Sequence, residues 1–241
     1  MFRFVRLPRG PLFWFIAVAA VCAALLGGAY PLPSTDTFVR YAPMAEAFAA
    51  GNWQETFHPR FNVGMPVVAG LWHLCTGMDA LASCSVVASL AWALAILPLF
   101  RIAERVYDRR AAWFAVLLYV ACPQIEIWGQ QGLREPFKVL GLLFMVAGIF
   151  GCANDARGWR GFACAALGVL FLVTFKVDAI PLALLLVAVY LVAHRFDRRG
   201  WILAGWTLVA VQPACYLGWT WMGYWLPSPH FIAAWQKILG A

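Results

Sequence analysis

Long apolar runs separated by short polar gaps, with arginine gathered in every second gap, constrain this chain more than any other feature. A hydrocarbon layer of about 30 Å takes roughly 20 helical residues to cross. Inside it the backbone must satisfy its own hydrogen bonds, so runs of this kind are expected as helices. They fall at Leu12 to Ala29, Leu81 to Ile102, Ala111 to Ala121, Phe137 to Cys152, Gly161 to Thr174, Ile180 to Ala193 and Trp201 to Met222, which makes about seven spans, several of them short. The chain is 63% hydrophobic and 12% charged, whereas a soluble domain is about half apolar and about a quarter charged. The expected fold class is therefore all-α: a polytopic transmembrane helix bundle, one domain over 1–241, with a first outer loop at 31–80 and an outer carboxyl tail at 223–241.

Orientation follows from the gaps, because cytoplasmic loops retain positive charge during insertion. Alternate gaps hold Arg3, Arg6 and Arg9, then Arg101, Arg105, Arg109 and Arg110, then Arg157 and Arg160, then Arg195, Arg198 and Arg199, which is 12 of the 18 basic residues, against only Glu104, Asp108, Asp155 and Asp197. The other gaps hold six basic and seven acidic residues. This predicts a multi-pass protein of the cell inner (plasma) membrane with a cytoplasmic amino terminus. The basic start and Gly27-Gly28-Ala29 fit either a cleaved signal or an anchor, and the spans downstream favour a retained anchor. The formal charge of +7 does not indicate nucleic acid, since the basic residues form no continuous patch. The seven cysteines (Cys22, Cys75, Cys84, Cys122, Cys152, Cys164, Cys215) have no CxxC pair and read as small core residues.

The polar residues left on the outer side form four groups: Asp36, Arg40, Glu46, Glu55, His58 and Arg60 in the first loop; Glu126, Arg134, Glu135 and Lys138; the turn Lys176-Val177-Asp178; and His230 and Lys237 in the tail. The stretch Val63 to Thr76, broken by Gly64, Pro66 and Gly70, is short for a span and is expected as a re-entrant or interfacial segment. Asp36 and Arg40, four apart, would stack on one helix face, and ionisable groups at a membrane boundary are functional candidates. Equally, Ser34, Thr35 or Asp36 could simply cap a surface helix that runs to about Ala50 and stops before Gly51, with Glu46 and Glu55 on its solvated face.

Arg134-Glu135-Pro136-Phe137-Lys138 places Pro136 in the first turn of a helix and Glu135 near its positive end. Capping explains Glu135 but not Lys138, one turn further in; cations beside carboxylates suit a substrate carrying phosphate and hydroxyl groups. Lys176 and Asp178 fit a substrate site or a local ion pair at a hairpin. His58 and His73 are candidate metal ligands or plain polar residues near an interface. No Gly-rich phosphate loop, HExxH or serine elbow is present.

Asp36, Arg40-Tyr41-Ala42, Gly51-Asn52-Trp53 and Pro59-Arg60-Phe61-Asn62 together resemble the start of lipid-linked-sugar glycosyltransferases of the GT-C superfamily, in particular the aminoarabinose transferases of lipid A and the protein O-mannosyltransferases. The resemblance implies membrane-lying helices in the first outer loop and a catalytic acid at Asp36. It also implies a second acidic site at Glu135 or Glu126. By that reading the substrate-binding set is Arg40, Tyr41, His58, Arg60, Arg134, Lys138, Lys176 and Asp178. The donor would be a polyprenyl-phosphate-linked sugar seated among membrane lipids, with a divalent cation as candidate cofactor at Glu135.

Two positions depart from the pattern. Thr37 stands where relatives often carry a second acid, and Gly64-Met65-Pro66 stands where the aminoarabinose transferases have an acidic-basic pair before proline. Relatives also carry more spans than a chain ending at Ala241, which leaves a fragment, a minimal enzyme or one subunit of a split enzyme. The competing functions are a non-catalytic membrane subunit with a separate partner, and a small-solute transporter; the near absence of charge inside the spans speaks against the transporter.

Overall fold

The computed structural model describes residues 34–56, 64–150, 159–175, 179–193 and 195–210, with nine positions between 11 and 29, and all regular structure among them is helical. After a π-helical turn (Thr37–Tyr41) come α1 (Ala42–Ala49), α2 (Trp53–Thr56), α3 (Gly64–Thr76), α4 (Ala80–Val106), α5 (Arg109–Val120), α6 (Pro123–Gln130), α7 (Glu135–Ile149), α8 (Trp159–Phe175) and α9 (Ile180–Ala193). Residues 198–210 are again helical.

α4 is the axis of the bundle. Its 27 residues rise about 40 Å at 1.5 Å each. Among the described residues it is the one helix both long and apolar enough to cross a membrane. Asp79 starts it by accepting from the Leu81 and Ala82 amides at 3.0 and 3.3 Å. A face rich in Ala, Ser and Cys lets the π turn, α1, α3, α5, α6 and α7 all pack against it. α5 returns antiparallel beside α4: Phe100 meets Trp113 edge-on, Trp92 stacks on Tyr119, and the Tyr119 hydroxyl donates to the Trp92 carbonyl at 3.1 Å.

α7 and α8 cross where neither has bulk. A Cβ on Gly168 would lie 2.6 Å from the Met145 amide nitrogen, and one on Gly148 would lie 2.7 Å from the Gly161 carbonyl and from the Ala165 side chain. Small residues at helical spacing allow this approach, which is how helices associate where lipid removes the hydrophobic drive between them. The outer faces are apolar in turn: Phe114 and Leu118 on α5, Leu185 and Val192 on α9, and Leu208 and Val209 are all exposed.

Five of the expected runs reappear as α4, α5, α7, α8 and α9, with ends shifted by a few residues at most, while most of Leu12 to Ala29 and residues 211–222 lie outside the described residues. Several are short, as expected: α5 has 12 residues and α9 has 14, about 18 and 21 Å, where a full crossing takes about 30 Å. Within Val63 to Thr76 only the expected break is corrected, because α3 is one uninterrupted helix from Gly64 to Thr76. The residues expected to break it seat it instead. Gly64 lies against the Phe175 ring, Pro66 falls in the first turn, and Gly70 lets Phe48 and the Ala45 carbonyl approach. Cys84 is buried as expected, but Cys22 and Cys75 are exposed, since apolar runs here face outward as well as inward.

Acidic residues in the arginine-rich gaps serve the helix ends. Asp108 accepts from the Ala111 amide at 2.7 Å, Asp197 accepts from the Gly200 amide at 2.8 Å, and Glu104 pairs with Arg101 at 3.2 Å.

Candidate active site

At the other end of α4 the first loop folds down onto the mouth of α7. Pro43 has no N–H to give the Val39 carbonyl, and the chain upstream of it widens into the π turn, in which the Ala42 amide donates to the Thr37 carbonyl five residues back. The capping role expected of this segment falls to Ser34, whose Oγ accepts from the Thr37 amide at 3.1 Å. Asp36 makes no cap bond. Its Oδ1 instead meets Arg40 Nη1 at 2.9 Å, both side chains about half exposed. The helix ends where expected, with Gly51 at φ +74 closing a turn in which its amide and that of Asn52 donate to the Phe48 and Ala47 carbonyls.

The second cluster is built the same way. α6 ends at Gly132, φ +64, with the Gly132 amide donating to Gly129 and the Leu133 amide to Trp128. Two residues on, Arg134 opens α7, followed by Glu135 and Pro136 in its first turn. Arg134 Nε lies 3.8 Å from Glu135 Oε1, each side chain about a quarter exposed, and Lys138 is half-buried one turn further along. Phe137 stacks on Phe175 at 4.0 Å, so the end of α8 lies beside the start of α7.

Thr37 joins the two clusters. Fully buried, its Oγ1 donates to the Gln131 carbonyl at 2.6 Å, with the Gly132 carbonyl at 3.2 Å. Tyr41, 3% exposed, feels the charges of both pairs. Burial raises its phenol above the usual value, Arg134 pulls it back, Asp36 and Glu135 push it up, and Arg40 pulls it down. One tyrosine thus senses all four charges.

Of the residues singled out from the sequence, Asp36, Arg40, Tyr41, Arg134, Glu135 and Lys138 gather at this end of the bundle. Glu46 and Glu55 take no part in it. His58, Arg60, Lys176 and Asp178, the Glu126 side chain and the tail with His230 and Lys237 lie outside the described residues. His73 is engaged with the Met78 carbonyl at the turn between α3 and α4. Among the described residues no three His, Cys, Asp or Glu come together as a metal site. Thr37, marked in the sequence only as a departure from the family pattern, is the residue whose role sequence reasoning missed.

Among the described residues the Asp36–Arg40 and Arg134–Glu135 pairs thus lie at one end of a helical bundle with apolar outer faces, and the Arg101–Glu104 pair lies at the opposite end of α4. Residues 65–221 match the family model of the dolichyl-phosphate-mannose-protein mannosyltransferases, well over half of the chain. The chain belongs to this family, one of the membrane-embedded GT-C glycosyltransferases. Arg134, Glu135, Lys138, Lys176 and Asp178 lie within the matched stretch, and Asp36, Arg40, Tyr41, His58 and Arg60 precede it. Comparison with curated proteins and with solved structures returns no match.

Proposed function

We propose that this chain transfers a sugar from a polyprenyl-phosphate carrier to an acceptor on the outer, periplasmic face of the inner membrane, as a single transmembrane domain with its amino terminus in the cytoplasm. The observation that carries the reading is the convergence, in a member of this family, of the Asp36–Arg40 pair with Arg134, Glu135 and Lys138 at one end of the bundle.

In the proposed step the acceptor oxygen attacks the anomeric carbon and the bond from that carbon to the carrier phosphate oxygen breaks. The electron pair leaves with the phosphate, and the acceptor proton passes to Asp36. Arg40 engages Oδ1 and orients the carboxylate. Arg134 and Lys138 stabilise the charge growing on the phosphate, and Glu135 orients the acceptor. Tyr41, held neutral, contributes a rigid wall to the site. His58 and Arg60 on the first loop, and Lys176 and Asp178 beyond Phe175, complete the proposed binding set.

Asp36→Asn tests the reading directly. General-base assistance contributes about 10² to 10⁴ in rate, so transfer by the purified variant should fall at least about 10²-fold at unchanged expression, and full activity would sink the assignment. Binding of undecaprenyl phosphate, read by native mass spectrometry, should weaken in Arg134→Ala with Lys138→Ala. A wild-type chain that binds the lipid no better than this variant and transfers no sugar would instead be a non-catalytic subunit awaiting a partner.

A further inference from the structure

The geometry assigns to Thr37 the role of a positioning residue: it locks the first-loop charge pair to the α7 charge pair by capping the turn that ends α6. The inference rests on the site reading above. The glycine turn that ends α6 uses the carbonyls of Trp128 and Gly129, while that of Gln131, the C-cap, is among the groups a helix end leaves without an intrahelical donor, and that of Gly132 follows it just outside the helix. Both lie within reach of the Thr37 hydroxyl, at 2.6 and 3.2 Å, across 94 and 95 residues of chain.

The fit is steric as well. A Cβ at Gly132 would come within 2.9 Å of Thr37 Cγ2 and 3.0 Å of Cys84 Cβ. The threonine methyl thus fills the space that the glycine vacates, against the wall of α4. Since Asp36 precedes Thr37 by one residue and Arg134 follows Gly132 by two, this contact sets the separation of the carboxylate from the phosphate-facing cations.

The same geometry explains the departure at this position. A carboxylate accepts hydrogen bonds and donates none when ionised. Placed at 37, it would be buried against two carbonyl oxygens and repelled by both. This chain therefore needs a short donor at this position.

Thr37→Val keeps the shape and removes the donor, while Thr37→Ser keeps the donor. Three measurements on the full chain in detergent decide the matter: thermal midpoint, hydrogen–deuterium exchange of segments 34–41 and 130–138, and undecaprenyl phosphate binding by native mass spectrometry. Thr37→Val should raise exchange in both segments together and weaken lipid binding about tenfold, the scale of one lost hydrogen bond, with the midpoint lowered by only a few degrees. Thr37→Ser should restore both.

Wild-type exchange in Thr37→Val, or Thr37→Ser behaving as Thr37→Val, overturns the latch. So does Thr37→Val loosening the segments while the lipid binds as in wild type, since the contact would then be structural only. If the wild type itself binds no lipid, the reading of the site fails, and exchange in the two segments still decides whether the latch exists.

Discussion

Two contacts between distant parts of the chain hold this bundle together in opposite ways. At the α7–α8 crossing, Gly141, Gly148, Gly161 and Gly168 bring two backbones into van der Waals contact along several turns. At the polar end, the first loop is held to α7 by one hydroxyl on two carbonyls, one glycine turn and a buried tyrosine. The first is many weak contacts that together resist change. The second concentrates the geometry of the site in a few directional bonds. Damage at the crossing should therefore unfold the protein, and damage at the polar end should misplace charges in a protein that still folds.

The largest expected effect is Gly168→Leu. With the Met145 amide 2.6 Å from the new Cβ, the helices must separate, at a cost of about 3 kcal/mol or more. The thermal midpoint should fall sharply or the monodisperse peak on size exclusion should vanish; a variant as stable as wild type would refute the close crossing. Gly132→Ala comes next. At φ +64 a non-glycine residue costs about 1–2 kcal/mol, and the new methyl presses on Thr37. A modest drop in midpoint should come with a larger loss of sugar transfer, and equal losses in both would erase the contrast between the regions.

Arg40→Ala sharpens it from the other side. Both members of its ion pair are about half exposed, so stability should change by less than about 0.5 kcal/mol, while transfer falls because Asp36 loses its orientation. The smallest effect concerns Tyr41. Its folded-state value is raised, so the native protein holds the extra proton above about pH 10, the ordinary tyrosine range. Stability is intact below that value and declines as pH rises past it. Tyr41→Phe should remove that part of the alkaline decline and leave stability between pH 6 and 9 unaltered; an unchanged alkaline limb would refute it.

Much of the architecture was readable in advance, because helices are local. Alternating apolar runs and arginine gaps marked α4, α5, α7, α8 and α9 to within a few residues. Gly51 and Pro136 marked a stop and a start, since φ > 0 and a missing N–H are properties of single residues. Asp79, Asp108 and Asp197 were counted as charges when each precedes a helix and caps it. That signal was present and unused.

The glycines of α3 misled because spacing alone cannot distinguish a break from a close contact: Gly70 meets Phe48 from α1, a neighbour known only after folding.

Within the site, the sequence by itself determined the chemical groups: a carboxylate and a guanidinium four residues apart near the membrane boundary, and a cation–carboxylate–cation set at the start of a helix. Tertiary structure alone decided that these two sets meet. The contact runs through Thr37, whose composition and neighbours give no hint of a partner 94 residues away. Its importance lies in what the far segment lacks, the donors that the end of α6 cannot supply for itself. A local pattern can announce a helix end, but which side chain satisfies it depends on the packing of the whole bundle.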